Sequence, residues 1–135
     1  MNNNLSSKIL NKTKKLKEII EKNIGSIKPE DIDGIFFATE DGFTVFNYTD
    51  SKNKIKSDKI SAITSSLYGI SSAGGQEINN SEAKTIIIEY DKSILLLISF
   101  IFENEKYLMT ILTDKRVNLG KVIFTGNSFI KLLVP

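Results

Sequence analysis

From Ile94 to Phe102 every position but Ser99 carries an apolar side chain. A strand points its side chains alternately to two faces, so such a run must be buried on both. It falls far short of the ~20 residues a helix needs to cross a bilayer. β-rich stretches lie on either side, Glu82 to Tyr90 and Lys106 to Thr113, joined to it by Asp91-Lys92-Ser93 and Glu103-Asn104-Glu105. Joints this short make the three a meander of antiparallel neighbours. A sheet with a doubly buried strand needs a layer on each face, and the rest of the chain has to supply both.

The expected layers are helical. Leu5, Ile9, Thr13, Leu16 and Ile20 recur at helical spacing in a lysine- and glutamate-rich segment, with a stop expected at Gly25 and Pro29. Ile32 to Thr39 and Phe43 to Tyr48 read as strands around Glu40-Asp41-Gly42, an Asp-Gly signal for a type I′ hairpin. Asp33-Gly34 opens the first of them, where a glycine points to a bulge or a close backbone contact. A polar, lysine-rich loop from Thr49 to Lys56 follows. Ser57 or Asp58 is expected to cap a second helix, and Asn118 a third, whose apolar side is Val122, Ile123, Phe129, Ile130 and Leu133. Gly126 and Asn127 weaken the middle of that last helix and are expected to bend it. The order αββαβββα makes residues 1–135 a single α+β domain with helices on both faces of one antiparallel sheet.

Composition excludes several chemistries. The chain has no Cys and no His, which removes disulfides, thiolate nucleophiles and the usual imidazole ligand or general base. Its serines have no partner of the kind a nucleophilic hydroxyl needs. The acids Glu40, Asp41, Asp91, Glu103 and Glu105 are expected in turns, and Gly74-Gly75 and Gly120-Lys121 lack phosphate-loop spacing. No catalytic, cofactor or metal residues are therefore expected. The net charge is +2 with both signs spread along the chain, so nucleic acid is not an expected partner. No apolar run suits a signal peptide or a transmembrane helix, and the expected location is the cytoplasm. A binder of proteins remains.

The second helix, Ser57 to Glu77, is built largely from Ser, Ala and Gly. At 100° per residue, Ile60, Ile63, Leu67, Ile70 and Gly74 share one stripe, of which Ile60, Ile63, Leu67 and Ile70 are expected on the protein's own sheet. Ala62, Ser66, Gly69 and Ala73 form a small-residue stripe beside it. The strand that follows, Lys84 to Tyr90, is apolar on both faces at its centre, and as an edge it would invite pairing with a second copy. A homodimer through Ala62, Ser66, Gly69, Ala73, Lys84, Ile86 and Ile88 is the resulting expectation.

Four stretches carry a family resemblance: Gly34-Ile35-Phe36-Phe37-Ala38-Thr39-Glu40-Asp41-Gly42-Phe43, Asp58-Lys59-Ile60-Ser61-Ala62-Ile63, Thr85-Ile86-Ile87-Ile88-Glu89-Tyr90 and Asn118-Leu119-Gly120. In their order and spacing the chain resembles the roadblock family, small domains of dynein light chains, endosomal scaffold subunits and bacterial regulators of Ras-like GTPases. The resemblance implies a roadblock/profilin-like fold: a five-stranded antiparallel sheet with the second helix on one face and the terminal helices on the other. It also implies dimerisation through the second helix and third strand into a ten-stranded sheet. The implied function is non-enzymatic: binding a small Ras-like GTPase as a regulator or adaptor, with any activation coming from ordered switch loops. The alternative is a scaffold subunit that assembles with other roadblock or longin proteins. Ser61, Ser65, Tyr68 and Ser72 are the candidate docking face for such a partner. Tyr68 has a second assignment, packing on its own sheet or on the dimer mate. The ending Phe46-Asn47-Tyr48 and the lysine-rich loop after it depart from the family pattern.

Overall fold

The computed structural model describes residues 2–27, 32–49, 56–114 and 116–134, residues 2–6 by their backbone alone. Pro29, the side chain of Leu5 and most of the loop expected before the second helix lie outside the described residues. The elements are α1 (Asn2–Asn23), β1 (Ile32–Thr39), β2 (Thr44–Thr49), α2 (Ser57–Asn79), β3 (Thr85–Glu89), β4 (Ser93–Phe102), β5 (Glu105–Asp114) and α3 (Leu119–Leu133). The expected order αββαβββα is the observed one. All five strands join one antiparallel sheet in the order β2-β1-β5-β4-β3. The continuously apolar β4 lies inside it and β3 forms an edge.

Strand alternation divides the core in two. Ile35, Phe37, Leu96, Ile98, Phe100, Tyr107, Met109 and Ile111 face α1 and α3, where they meet Leu16, Ile20, Val122, Phe129 and Leu133. Phe36, Leu95, Leu97, Leu108 and Leu112 face the other way, toward Tyr68 of α2. On the first face Phe37 meets Phe100 edge-on at 6.2 Å between ring centroids, and Phe100 stacks on Tyr107 at 6.0 Å. Such aromatic pairs add to area burial, roughly 0.5–1.5 kcal/mol each.

Several local expectations are corrected. Gly25 does not stop α1 from outside it; the helix ends at Asn23 and a 3₁₀ turn, Ile24–Ser26, delivers the buried Ile27. In the β1–β2 turn only Gly42 has positive φ, 96°, while the Gly42 amide donates to the Thr39 carbonyl at 3.0 Å. That is a tight turn closed by a glycine, not type I′. Positive φ at two successive residues occurs instead at Glu103 and Asn104, between β4 and β5. Gly34 behaves as expected: the β1–β5 register shifts between Ile32 and Gly34, and a Cβ there would lie 2.7 Å from the Phe36 ring.

Neither Ser57 nor Asp58 caps α2 as expected. Lys56 holds the N-cap position without a side-chain hydrogen bond, and the Asp58 carboxylate accepts from the next amide, Lys59, at 3.0 Å. Asn118 does cap α3, its side-chain oxygen accepting from the Lys121 amide at 3.2 Å. Gly126 does not interrupt that helix. It lies on the sheet, where an added Cβ would stand 3.1–3.3 Å from methyl groups of Ile98, Ile111 and Met109. The glycine lets α3 approach the strands closely.

Candidate functional site: the outer face of α2 and the β3 edge

Helix α2 meets the sheet through its hydroxyl side. Ser61, Thr64 and Tyr68, three and four residues apart, are its buried residues. The Ser61 hydroxyl lies 2.8 Å from that of Thr44 on β2, and Thr64 donates to the Ile60 carbonyl at 2.9 Å. Buried hydroxyls are thus satisfied, and their small size lets α2 settle near the β1–β2 hairpin. Ser65 donates to the Glu40 carbonyl in the hairpin turn.

At its midpoint α2 is held by Tyr68, only 5% exposed among Phe36, Leu95, Leu97 and Leu108. Its hydroxyl donates to Glu82 Oε2 at 3.3 Å, and Lys106 pairs with the same carboxylate. Lys106 Nζ stands 5.3 Å from the Tyr68 ring centroid, a cation–π contact. The Ser72 hydroxyl accepts from the Ala83 amide at 3.1 Å, and the Ser99 hydroxyl donates to the Ala83 carbonyl at 3.0 Å. These contacts tie the segment after α2 to the start of β3.

The expected docking face is therefore corrected. Ser61 and Tyr68 are buried on the protein's own sheet, and Ser65 and Ser72 are engaged in bonds to the backbone. Of the two assignments for Tyr68, packing on its own sheet is the one found. The reading of the aliphatic stripe changes with it. Ile60 and Leu67 flank the seat, whereas Ile63 is 48% and Ile70 74% exposed. Ala62, Ser66, Gly69, Ala73 and Gly74 are exposed as well, and beyond the helix's own backbone nothing would lie within 4 Å of a Cβ built on Gly69 or Gly74. Sequence reasoning missed that Ile63 and Ile70 share this outward face. The signal was present in Thr64, which lies midway around the helix between Ser61 and Leu67 and shifts the sheet-facing centre away from the isoleucines.

Strand β3 supplies the second part. Ile86 and Ile88 are partly buried against the Phe36–Tyr68 cluster, and Ile87, on the opposite face, is exposed. Lys84 precedes the strand and is exposed; its carbonyl accepts from the Ser99 amide at 2.9 Å, extending the ladder. An edge strand of this kind leaves backbone donors and acceptors along its outer side.

Among the described residues no group of three or more acidic side chains could hold a metal ion, and no helix is long and apolar enough to cross a membrane. Arg116, the chain's one arginine, makes a paired contact with Asp114, Nε to Oδ1 at 3.0 Å and Nη2 to Oδ2 at 3.2 Å. That contact holds the Asp114 carboxyl below its usual range. An open cleft of about 360 Å³ lies beside Glu82, Lys84, Ile101 and Lys106 at the start of β3. It is on the rim of the sheet; on the face covered by α1 and α3 two smaller clefts, of about 200 and 190 Å³, flank Ile27.

The class this architecture defines is the roadblock fold, a five-stranded antiparallel sheet between one central and two terminal helices. Solved structures share it. The gliding protein MglB from Thermus thermophilus superposes with a TM-score of 0.71 at 14% identity, covering 90% of this chain and 87% of that one. MglB from Myxococcus xanthus gives 0.70 at 15% identity, covering 88% and 91%. A Roadblock/LC7 domain from Streptomyces avermitilis gives 0.61 at 13% identity, covering 76% and 80%. No protein-family profile and no curated protein matches the sequence.

Proposed function

We propose that the chain is a non-enzymatic dimeric regulator or adaptor that binds a small Ras-like GTPase. The observation that carries the dimer is the outward, apolar face of α2 beside the free edge of β3. Two copies that bring these surfaces together would join their sheets at β3 and bury Ile63 and Ile70. The GTPase partner rests on the sequence resemblance to roadblock regulators, with which the fold agrees. Ser61, Ser65, Tyr68 and Ser72 are not carried into this proposal as the docking face.

Catalysis by insertion of an arginine is not part of the reading. Arg116 is engaged by Asp114 in the connection between β5 and α3, distant in sequence from α2. Any acceleration would come from ordering the GTPase's own switch loops. The test measures single-turnover GTP hydrolysis by Ras-like GTPases with and without the protein, together with binding of their GDP and GTP forms. Preferential binding of one nucleotide form is expected. Equal binding of both forms, or none, supports the scaffold reading and overturns the regulator.

A further inference from the structure

Charge that is spread along the chain is sorted by the fold, and we infer that the layer formed by α1 and α3 is a docking face for an anionic membrane surface. Of the chain's 18 basic and 16 acidic side chains, α1 and α3 carry eight lysines and two glutamates, which leaves ten bases against fourteen acids elsewhere. Both helices cover the same side of the sheet. That side is basic, while the remainder of the chain is acidic on balance. The inference goes beyond the regulator reading and does not depend on it.

The lysines stand where a broad surface can reach them. Lys12 and Lys15 are drawn to Glu105 and Glu103 in the β4–β5 turn. Lys8, Lys14, Lys17 and Lys22 of α1 and Lys121 and Lys131 of α3 are exposed, as are Glu18 and Glu21, the two acids of these helices. Apolar side chains lie among them. On α3, Phe124 and Lys131 sit about half a turn around the helix from the buried row Val122, Gly126, Phe129 and Leu133, and Phe124 is 73% exposed. Leu132 is 50% exposed and Leu10 of α1 68%.

A bilayer fits this pattern better than a folded acidic partner. The cations of both helices are lysines on flexible stems, spread along the layer rather than gathered at a pocket. The cleft of about 200 Å³ beside Phe124 is lined by Ser26, Ile27, Thr125, Ser128 and Leu132, with no charged side chain. Such an arrangement gives no fixed geometry for one carboxylate or phosphate, but it suits many mobile head groups. The lysines supply attraction to anionic lipid, and an exposed phenylalanine with leucines supplies the apolar insertion that charge alone lacks. Two copies joined at β3 about an axis perpendicular to the sheet would present both layers on one side and double the face. One copy already carries it.

The test is sedimentation of the full chain with vesicles of equal parts phosphatidylserine and phosphatidylcholine, against vesicles of phosphatidylcholine alone. Binding to the mixed vesicles at low salt, weakened as salt is raised, is expected, with none to the neutral ones. Lys14→Gln and Lys131→Gln together are expected to weaken it about tenfold, in line with the contribution of lysines near an anionic surface. Lys59→Gln with Lys92→Gln, exposed on α2 and in the β3–β4 turn, removes the same charge elsewhere and is expected to change binding less than about twofold. Phe124→Ser is expected to weaken it several-fold and to leave its salt dependence unchanged. Circular dichroism checks that each exposed substitution leaves the fold intact. A chain that stays in solution beside the mixed vesicles overturns the membrane as occupant and points to an acidic protein instead. Equal losses from the two lysine pairs, or no loss from Phe124→Ser, overturn the α1/α3 layer as the docking face.

Discussion

At the scale of single residues, Gly75 has the sharpest consequence. Asn80 adopts the left-handed conformation, φ 60°, and turns the chain back so that the Ser81 amide donates to the Gly75 carbonyl at 3.1 Å. A Cβ on Gly75 would stand 2.2 Å from the Ser81 carbonyl oxygen. Alanine is the better helix former by about 1 kcal/mol, yet here it would push against backbone. Gly75→Ala is therefore expected to destabilise by roughly 1–3 kcal/mol in urea unfolding, the range for forced overpacking. A gain in stability would show that the return of the chain after α2 is looser than described. The sequence marks Gly74-Gly75 as a pair; only the tertiary path shows that Gly75 is hemmed in by Ser81 while Gly74 faces open space. Gly126 teaches the same lesson: its low helix propensity suggests a bend, whereas its position against Ile98, Met109 and Ile111 makes it a site of close approach.

At the scale of elements, α2 decides how the site is read. Periodicity locates the helix well, because bulky residues return every three or four positions through its small ones. It does not choose which side goes inward, since a helix with two faces to cover offers two apolar arcs. Tyr68 settles the choice by filling the space over Leu95, Leu97 and Leu108, while Ser61 finds Thr44 across the gap. Tyr68→Ala is accordingly expected to cost about 3–5 kcal/mol, the range for truncating a large buried ring, measured as a lowered unfolding midpoint. A change below about 1 kcal/mol, within the ordinary surface range, would mean that α2 is not seated through this ring. The hairpins show a related limit. Asp41-Gly42 carries the usual sequence signal, but the two successive positive φ angles fall at Glu103-Asn104, where ten-residue strands on each side pair up to Phe102 and Glu105 and so fix the turn.

At the scale of the whole molecule, the sheet is closed on one side by α1 and α3 and only partly covered on the other by α2, with β3 left at its margin. Ile70 is more exposed than Ile63, the other isoleucine at the centre of α2's outer face. Ile70→Asp is expected to leave the monomer's unfolding midpoint within about 0.5 kcal/mol of the native value, the scatter of ordinary surface changes, while halving the mass in solution. A mass that stays dimeric would remove α2 from the interface. The element order, the inner position of β4 and the two-layer cover were determined by the sequence itself, because a doubly apolar strand flanked by short joints and amphipathic helices has few other ways to leave water. The seat of α2 was decided only in three dimensions. Its hydroxyls are polar by composition but satisfied by partners distant in the chain, Thr44 beside Ser61, Glu40 beside Ser65 and Ala83 beside Ser72, and periodicity cannot count such bonds.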